Sequence, residues 1–314
     1  MTHTESLTLG SLTHVGMKRS NNQDAFCALA GSNAPAGTQA LLAVADGMGG
    51  HKGGEVASNM TINGLVGRLT TGTTPNTDRS DPNQLKSQLN AAVTDINAEV
   101  NQAAKQPQTQ GMGTTLTAAV ISGAQMILAH VGDSRAYVLR KGELAQITKD
   151  HSWVAEEIAR GALTPDQARD HPRRNIVTRA IGIEPQVQVE TTEVRLREKD
   201  VILLCSDGLH GLVGDDEIAS LLGAYEPQEV CQELVDRANE LGGNDNSTVV
   251  VARINSLEKG DRNAGSDGNQ SMTTVRLSTS RMGKGRFSHV LKIVLAPIWV
   301  PVWAVVKAVR WIAR

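Results

Sequence analysis

Apolar residues follow two rhythms along this chain. Between 115 and 147 they form short runs, "TLTAAVIS", "QMILAHV", "RAYVLR" and "LAQIT", parted by the Gly-containing turns "SGA", "GDS" and "KGE". Runs of this length bounded by turn residues predict strands, and connections so short require antiparallel pairing. In contrast, "GGEVASNMTINGLVGRL" after 53, "DPNQLKSQLNAAVTDINAEVNQ" after 81 and "EPQEVCQELVDRANELG" after 226 carry apolar residues at spacings of three and four. That period predicts amphipathic helices, which would cover the faces of a sheet.

Several apolar runs stop at an acid flanked by glycine: "LLAVADGMGG" at Asp46, "MILAHVGDSR" at Asp133 and "VILLCSDGL" at Asp207. Asp245, in "GGNDNSTVVVARI", stands just before another run. One Asp-Gly pair alone predicts only a turn. Repeated on antiparallel strands, the pattern brings these carboxylates to one rim. Such a rim suits hard divalent cations such as Mg²⁺ and Mn²⁺, which take oxygen ligands and retain several waters. Asp46 and the Gly47 carbonyl form one such donor set. The missing Cβ lets the Gly47 backbone approach a metal, and Gly49 and Gly50 start the next helix with little bulk. Upstream, "KRSNNQDAF" places Arg19 shortly before Gln23 and Asp24. A guanidinium beside a carboxylate cluster is the group that would hold a phosphoryl bidentately. Two ions roughly 3.5 to 4 Å apart can hold a hydroxide between them for attack on phosphorus, with no covalent enzyme intermediate.

In their order, "RSNNQDA", "VADGMGG", "GMGTTLTAAVI", "AHVGDSRAYVLR", "CSDGL" and "NDNSTVVV" resemble the metal-dependent protein phosphatases of type 2C, in particular their compact bacterial members. The resemblance spans about residues 10 to 254. It implies an α+β fold, a sandwich of two antiparallel β-sheets flanked by α-helices in four αββα layers. It also implies hydrolysis of phosphoserine and phosphothreonine by a hydroxide bridging two Mn²⁺ or Mg²⁺ ions. Asp46 would bridge the two ions, the Gly47 carbonyl would bind the first, and Asp207 and Asp245 would bind the second. Asp133 with Asp207 would form a third metal site, Arg19 would bind the substrate phosphate, and Asp24 would hold ligand water, with Gln23 beside it. Expected partners are phosphorylated proteins and an opposing Ser/Thr protein kinase; the enzyme is expected to act as a monomer.

The chain departs from the family pattern in two places. Met48 follows the Asp-Gly pair where many animal members have a histidine thought to protonate the leaving alkoxide, which leaves the general acid unassigned. His51, three residues on, reads as a solvated loop side chain. Gln23 stands where many members have Glu, and the lost acidic contact predicts weaker metal affinity. In the segment corresponding to the family's flap, 151 to 182, His151, His171, Arg173 and Arg174 either face a phosphopeptide or form a solvated surface.

Other chemistries fit less well. Arg237 follows Cys231 by six positions, but in an amphipathic helix rather than a phosphate-cradling loop of small residues. "LCSDG" lacks the first Gly of a serine-hydrolase elbow, and "GGHKGGE" has no Lys-Ser or Lys-Thr pair for a nucleotide loop. A catalytically silent relative that binds phosphoproteins or a kinase is the alternative from another class; Asp46, Asp207 and Asp245 all being present favours the enzyme.

Composition adds boundaries. The 314 residues are 40 % hydrophobic, enough for a large core, and the formal charge is −2 with no basic run in the first 250 residues, so nucleic acid is not an expected partner. Three scattered cysteines, Cys27, Cys205 and Cys231, suit reduced thiols, and the N-terminus resembles no secretion signal, so a cytoplasmic location is expected. A catalytic domain over 1–255 is followed by Gly/Ser/Asn/Asp-rich linker chemistry over 256–285 and an apolar, basic tail over 286–314. The tail's uncharged core, Ile293 to Val306, is shorter than the roughly 20 residues of a spanning helix. On a helical wheel Lys292, Trp299, Trp303, Lys307, Arg310 and Arg314 oppose Val294, Ile298, Val302, Val305, Val309 and Ile312. A basic, Trp-bearing face opposite an aliphatic one predicts a helix lying at an anionic membrane surface, bent at Pro297 and Pro301; the alternatives are a short snorkelled span and a tail packed on the catalytic domain or on a partner helix.

Overall fold

In the computed structural model the apolar runs at the acid-terminated positions are strands buried on both faces, which is why they read as unbroken apolar sequence rather than as alternation. The structure describes residues 6–50, 52–70 and 81–257. His51, most of the expected linker and the whole of the 286–314 tail lie outside the described residues. All described residues fall within one compact unit.

In chain order the elements are β1 (Leu7–His14), β2 (Asp24–Ala30), β3 (Ala40–Met48), α1 (Gly53–Thr70), α2 (Pro82–Ala103), β4 (Gly113–Thr114), β5 (Leu116–Ser122), β6 (Gln125–Val131), β7 (Arg135–Arg140) and β8 (Glu143–Gln146). They continue with α3 (Trp153–Ala159), α4 (Pro165–Arg169), β9 (Glu190–Arg195), β10 (Val201–Cys205), α5 (Asp207–His210), α6 (Asp215–Ala224), α7 (Pro227–Glu240) and β11 (Ser247–Ile254). One sheet runs β1-β11-β10-β7-β8; the other runs β2-β3-β5-β6-β9, with β4 added to β3, and every pairing is antiparallel.

Strand periodicity divides the core into layers. Leu42, Val44, Ala119 and Leu128 meet Ile202, Leu204, Val250 and Ala252 between the sheets. Their sequence neighbours point outward: Leu41, Ala43 and Val120 pack beneath α1 and α2, and Leu203, Val249 and Val251 beneath α6 and α7. This is the four-layer sandwich expected from the sequence. Helix α2 starts where Asp81 accepts a hydrogen bond from Asn83 N at 2.9 Å with Pro82 in the first turn, and its apolar stripe Leu85, Leu89, Val93, Ile96, Val100 is buried. The strands β1, β2, β4 and β9 were not read from the pattern. β1 is buried only in its first half and β9 is mostly half-exposed, so neither presents a clear apolar run.

Candidate active site

Antiparallel pairing delivers the acids to one rim as expected. Asp46 stands two residues before the end of β3, Asp133 follows β6, Asp207 opens α5 just beyond β10, and Asp245 precedes β11. Asp24 at the start of β2 is the register partner of Asp46. Arg19, Gln23, Asp46, Gly47, Asp133, Asp207 and Asp245 line one cavity of about 310 Å³ together with Met48, Thr115, Asn175, Val177 and Asn246. Asp24 is buried behind it. A larger groove of about 610 Å³ at Ala124, Arg195, Arg197 and Leu257 has a single carboxylate, Glu198, and lies at the other end of β6, away from the acids.

The backbone here is packed too tightly for side chains. A Cβ on Gly47 would lie 2.1 Å from the Gly54 carbonyl oxygen and 2.5 Å from that of Gln23. The glycine is therefore required first by the junction of β2, β3 and α1, a reason additional to close approach of a ligand. Gly49 adopts φ +140°, and α1 begins only at Gly53, with Gly53 N bonded to Gly50 O at 3.0 Å.

Asp46 is anchored through its main chain: its N donates to Thr115 Oγ1 at 2.9 Å, and its O accepts from Thr115 N at 2.9 Å and Thr114 Oγ1 at 2.8 Å. That leaves its carboxylate unclaimed by the β4–β5 junction. Asp24 Oδ2 accepts from Ser206 Oγ at 2.8 Å and Thr248 Oγ1 at 2.6 Å. Arg19 Nη2 donates to Asp245 Oδ2 at 2.7 Å, and Asp245 Oδ1 accepts from Asn246 N. Asn246 is a clasp: its Oδ1 takes Gln23 N at 2.8 Å while its Nδ2 donates to Val15 O and Asn21 O, tying the Arg19 loop to β11.

Burial and mutual repulsion raise the acids' proton affinities. Asp46 is held well above the ordinary carboxylate range by desolvation and then by the charges of Asp24, Asp207, Asp133 and Asp245. Asp133 is pushed up to about 8, by burial and then by Asp207, and Asp24 to about 7, by burial against the opposing pull of its two hydroxyls. Asp207 is raised by burial and by Asp245. Asp24 Oδ1 and Asp207 Oδ1 are both buried without a hydrogen-bond partner among the described residues. Buried acceptors left unsatisfied beside like charges are costly, and cations relieve both penalties. Among the described residues no three His, Cys, Asp or Glu side chains close around a single point. A hard cation that keeps part of its water shell fits such spacing; a fully protein-ligated one does not.

The family model for protein phosphatase 2C matches residues 15–244. The chain belongs to that family. It is 37 % identical over 224 residues to serine/threonine phosphatase stp of Listeria welshimeri, covering 71 % of this chain and 87 % of the relative. It superimposes on the crystal structure of the Mycobacterium tuberculosis serine/threonine phosphatase PstP/Ppp with a TM-score of 0.70 at 39 % identity, over 80 % of this chain and all of the other. The crystal structure of the PstP catalytic domain in complex with 2 manganese ions is similar at TM-score 0.67 and 36 % identity, over 80 % and 99 % of the two chains.

Within this phosphatase 2C domain the flap residues separate. His151 is buried and hydrogen-bonded inside the protein, so it neither greets a peptide nor forms a solvated face. His171 stacks on Trp153 with ring centroids 4.8 Å apart, the Arg173 guanidinium lies 5.1 Å from the Trp153 ring, and Arg174 is exposed. Asn175 and Val177 reach the cavity instead. Sequence reasoning missed Ser206, Asn246, Thr248 and Thr115; Ser206 and Asn246 carried a signal as polar residues beside an acid, whereas Thr248 and Thr115 stand beside no acid and carried none. The cysteine rival fails as expected: Cys231 is buried, its thiol pushed up to about 12 by burial, while Arg237 pairs with Glu217 at 2.6 Å.

Proposed function

We propose that this chain is a metal-dependent protein serine/threonine phosphatase acting on phosphorylated proteins. The observation that carries the reading is one cavity lined by Asp46, Asp133, Asp207 and Asp245 with a single guanidinium, Arg19, at its edge. Asp46, the Gly47 carbonyl, Asp207 and Asp245 would hold two Mn²⁺ or Mg²⁺ ions, with Asp133 and Asp207 serving a third. When bound, such cations supply Lewis acidity and neutralise phosphoryl charge.

The protein's own contributions are positional. Arg19 has a side chain 53 % exposed and, among the described residues, tethered only at Asp245, so it can turn its fork toward a phosphoryl group at little cost. Asp24 has Oδ2 committed to Ser206 and Thr248, while its buried Oδ1 has no hydrogen-bond partner among the described residues. Thr114 and Thr115 fix the Asp46 peptide, and Asn246 fixes the loop carrying Arg19. Met48 offers no proton, so the leaving alkoxide is not protonated from that position.

A phosphothreonine peptide assayed with Mn²⁺, then with excess EDTA, tests the reading: turnover that vanishes on chelation supports it, and absence of Mn²⁺-dependent turnover rejects it. The enzyme would oppose a Ser/Thr protein kinase in the cytoplasm as a monomer, held at an anionic membrane surface by residues 286–314. Sedimentation with anionic liposomes at low salt, lost on truncation near Ser256, tests the tether. Among the described residues no helix is long and apolar enough to cross a membrane.

A further inference from the structure

Asp133 sits on the short turn between β6 and β7, and the peptides flanking it are held by side chains from elsewhere. Gly132 N donates to His151 Nδ1 at 3.0 Å, and Gly132 O accepts from His151 N at 2.7 Å, so one residue grips both sides of Gly132. Gly132 itself has φ +114°, and a Cβ there would lie 2.6 Å from the Thr115 side chain. On the other side, Ser134 O accepts from Thr117 Oγ1 at 2.9 Å, and Asp133 O lies 3.0 Å from His210 Nε2.

The other edge of the buried His151 ring meets Glu190 and Arg179. Because Nδ1 accepts a backbone N–H, the ring proton belongs on Nε2, 3.2 Å from Glu190 Oε2, with Arg179 Nη1 at 3.0 Å from the same nitrogen. His151 O accepts from Thr178 N at 2.8 Å, Ser152 bridges Val177, and Trp153 N donates to Ile176 O at 2.8 Å. Asn175 and Val177 form the cavity wall on this side. The side chain that fixes the Asp133 turn thus belongs to the segment that holds the wall.

We propose that His151 is a positioning residue that couples the Asn175–Val177 wall, which an incoming phosphopeptide must pass, to the placement of the Asp133 carboxylate. The inference rests on the phosphatase reading and adds to it a route by which peptide contact reaches the acid cluster. A shift of the 176–178 backbone pulls on the His151 main chain, and its ring carries the movement to the Gly132–Asp133 peptide.

A buried histidine that only stabilises the fold would respond alike to any polar replacement, whereas positioning depends on where the acceptor sits. His151→Asn keeps an acceptor near the Nδ1 position; His151→Gln carries it one bond further, to the Nε2 position. In the full chain with Mn²⁺ and a phosphothreonine peptide, His151→Gln should lower kcat about 10- to 100-fold, the cost of a small misplacement near the reacting groups, while His151→Asn restores most of it. Calorimetric Mn²⁺ titration should show weaker binding for Gln than for Asn, and amide exchange at Gly132 and Thr178 should quicken together in the Gln variant. Equal behaviour of the two variants in kcat, Mn²⁺ binding and exchange would overturn the proposal. If the wild-type protein shows no turnover the phosphatase reading fails, yet Mn²⁺ binding and exchange still decide the coupling: joint loosening of Gly132 and Thr178 upholds it, and independent or unchanged exchange rejects it.

Discussion

Arg19 and Asp245, 226 positions apart in sequence, meet through a 2.7 Å hydrogen bond between Nη2 and Oδ2 at the mouth of the acid cavity. The pair is largely open to solvent, with the side chains 53 % and 33 % exposed, so its contribution to stability is small. Its importance is geometric: it parks the one cavity-lining guanidinium beside the carboxylates, within reach of a phosphoryl group.

Arg19→Ala is therefore expected to raise KM for a phosphothreonine peptide by about tenfold or more, roughly 1.4 kcal/mol of ground-state binding, with a smaller effect on kcat. Arg19→Lys should recover only part of this, since an ammonium cannot donate bidentately. Steady-state kinetics with melting curves checks it; a fall in melting temperature that parallels the loss of activity would mark the residue as structural.

Asp46→Asn and Asp207→Asn should each reduce kcat on the order of 10³-fold or more, because each removes charge from the proposed metal cradle. The same variants should melt at or above the wild-type temperature in EDTA, because each removes a like charge from a buried cluster. Mn²⁺ should raise the wild-type melting temperature and leave the variants' nearly unmoved. Scanning calorimetry with and without Mn²⁺ tests both halves.

The chelated protein should gain stability as pH falls from about 8.5 toward 6.5. Asp133 and Asp24 have folded-state proton affinities raised to about 8 and about 7. A raised carboxylate pKa means that stability is lost as pH rises through the folded value and restored as pH falls. Below about 6.5 the gain should become less steep, because His130, lowered to about 4 by burial, is neutral when folded and protonates more readily when unfolded, which offsets part of what the acids contribute. Each kcal/mol should appear as about 2–4 °C in melting temperature. Saturating Mn²⁺ should flatten the rise between 8.5 and 6.5, and a melting temperature in EDTA that is constant or falls as pH is lowered over that range would contradict the assignment.

Gly47→Ala forces a methyl group to within 2.1 Å of the Gly54 carbonyl oxygen, so the β3–α1 junction must separate. Overpacking of this kind costs about 1–3 kcal/mol, and the displaced Asp46 peptide should weaken Mn²⁺ binding as well. Gly50→Ala, whose methyl group meets nothing within 4 Å among the described residues, is the control and should leave melting and metal titration unchanged.

The acids at Asp46, Asp133, Asp207 and Asp245 were legible in the sequence because their strands are buried on both faces. Such strands are written as unbroken apolar runs, and a carboxylate ending one is conspicuous. Helices α1, α2 and α7 were legible for the matching reason, one face buried at a period near 3.6. β1 and β9 were not, because half-exposed edge strands need no apolar pattern. Other features arise only when distant segments meet. Asp24 receives its hydroxyl partners from positions 182 and 224 residues away, and Gly47 is confined by a helix start and a strand that local sequence does not bring near it. His151 reads as a polar residue in a polar stretch, yet folding buries its ring to 7 % exposure against a turn 19 positions earlier. Local pattern determined which residues form strands, helices and strand-end acids, since periodic burial is written into adjacent residues. Tertiary structure alone decided which hydroxyls, amides and imidazoles hold those acids in place, because a hydrogen bond between remote segments leaves no periodic trace in either.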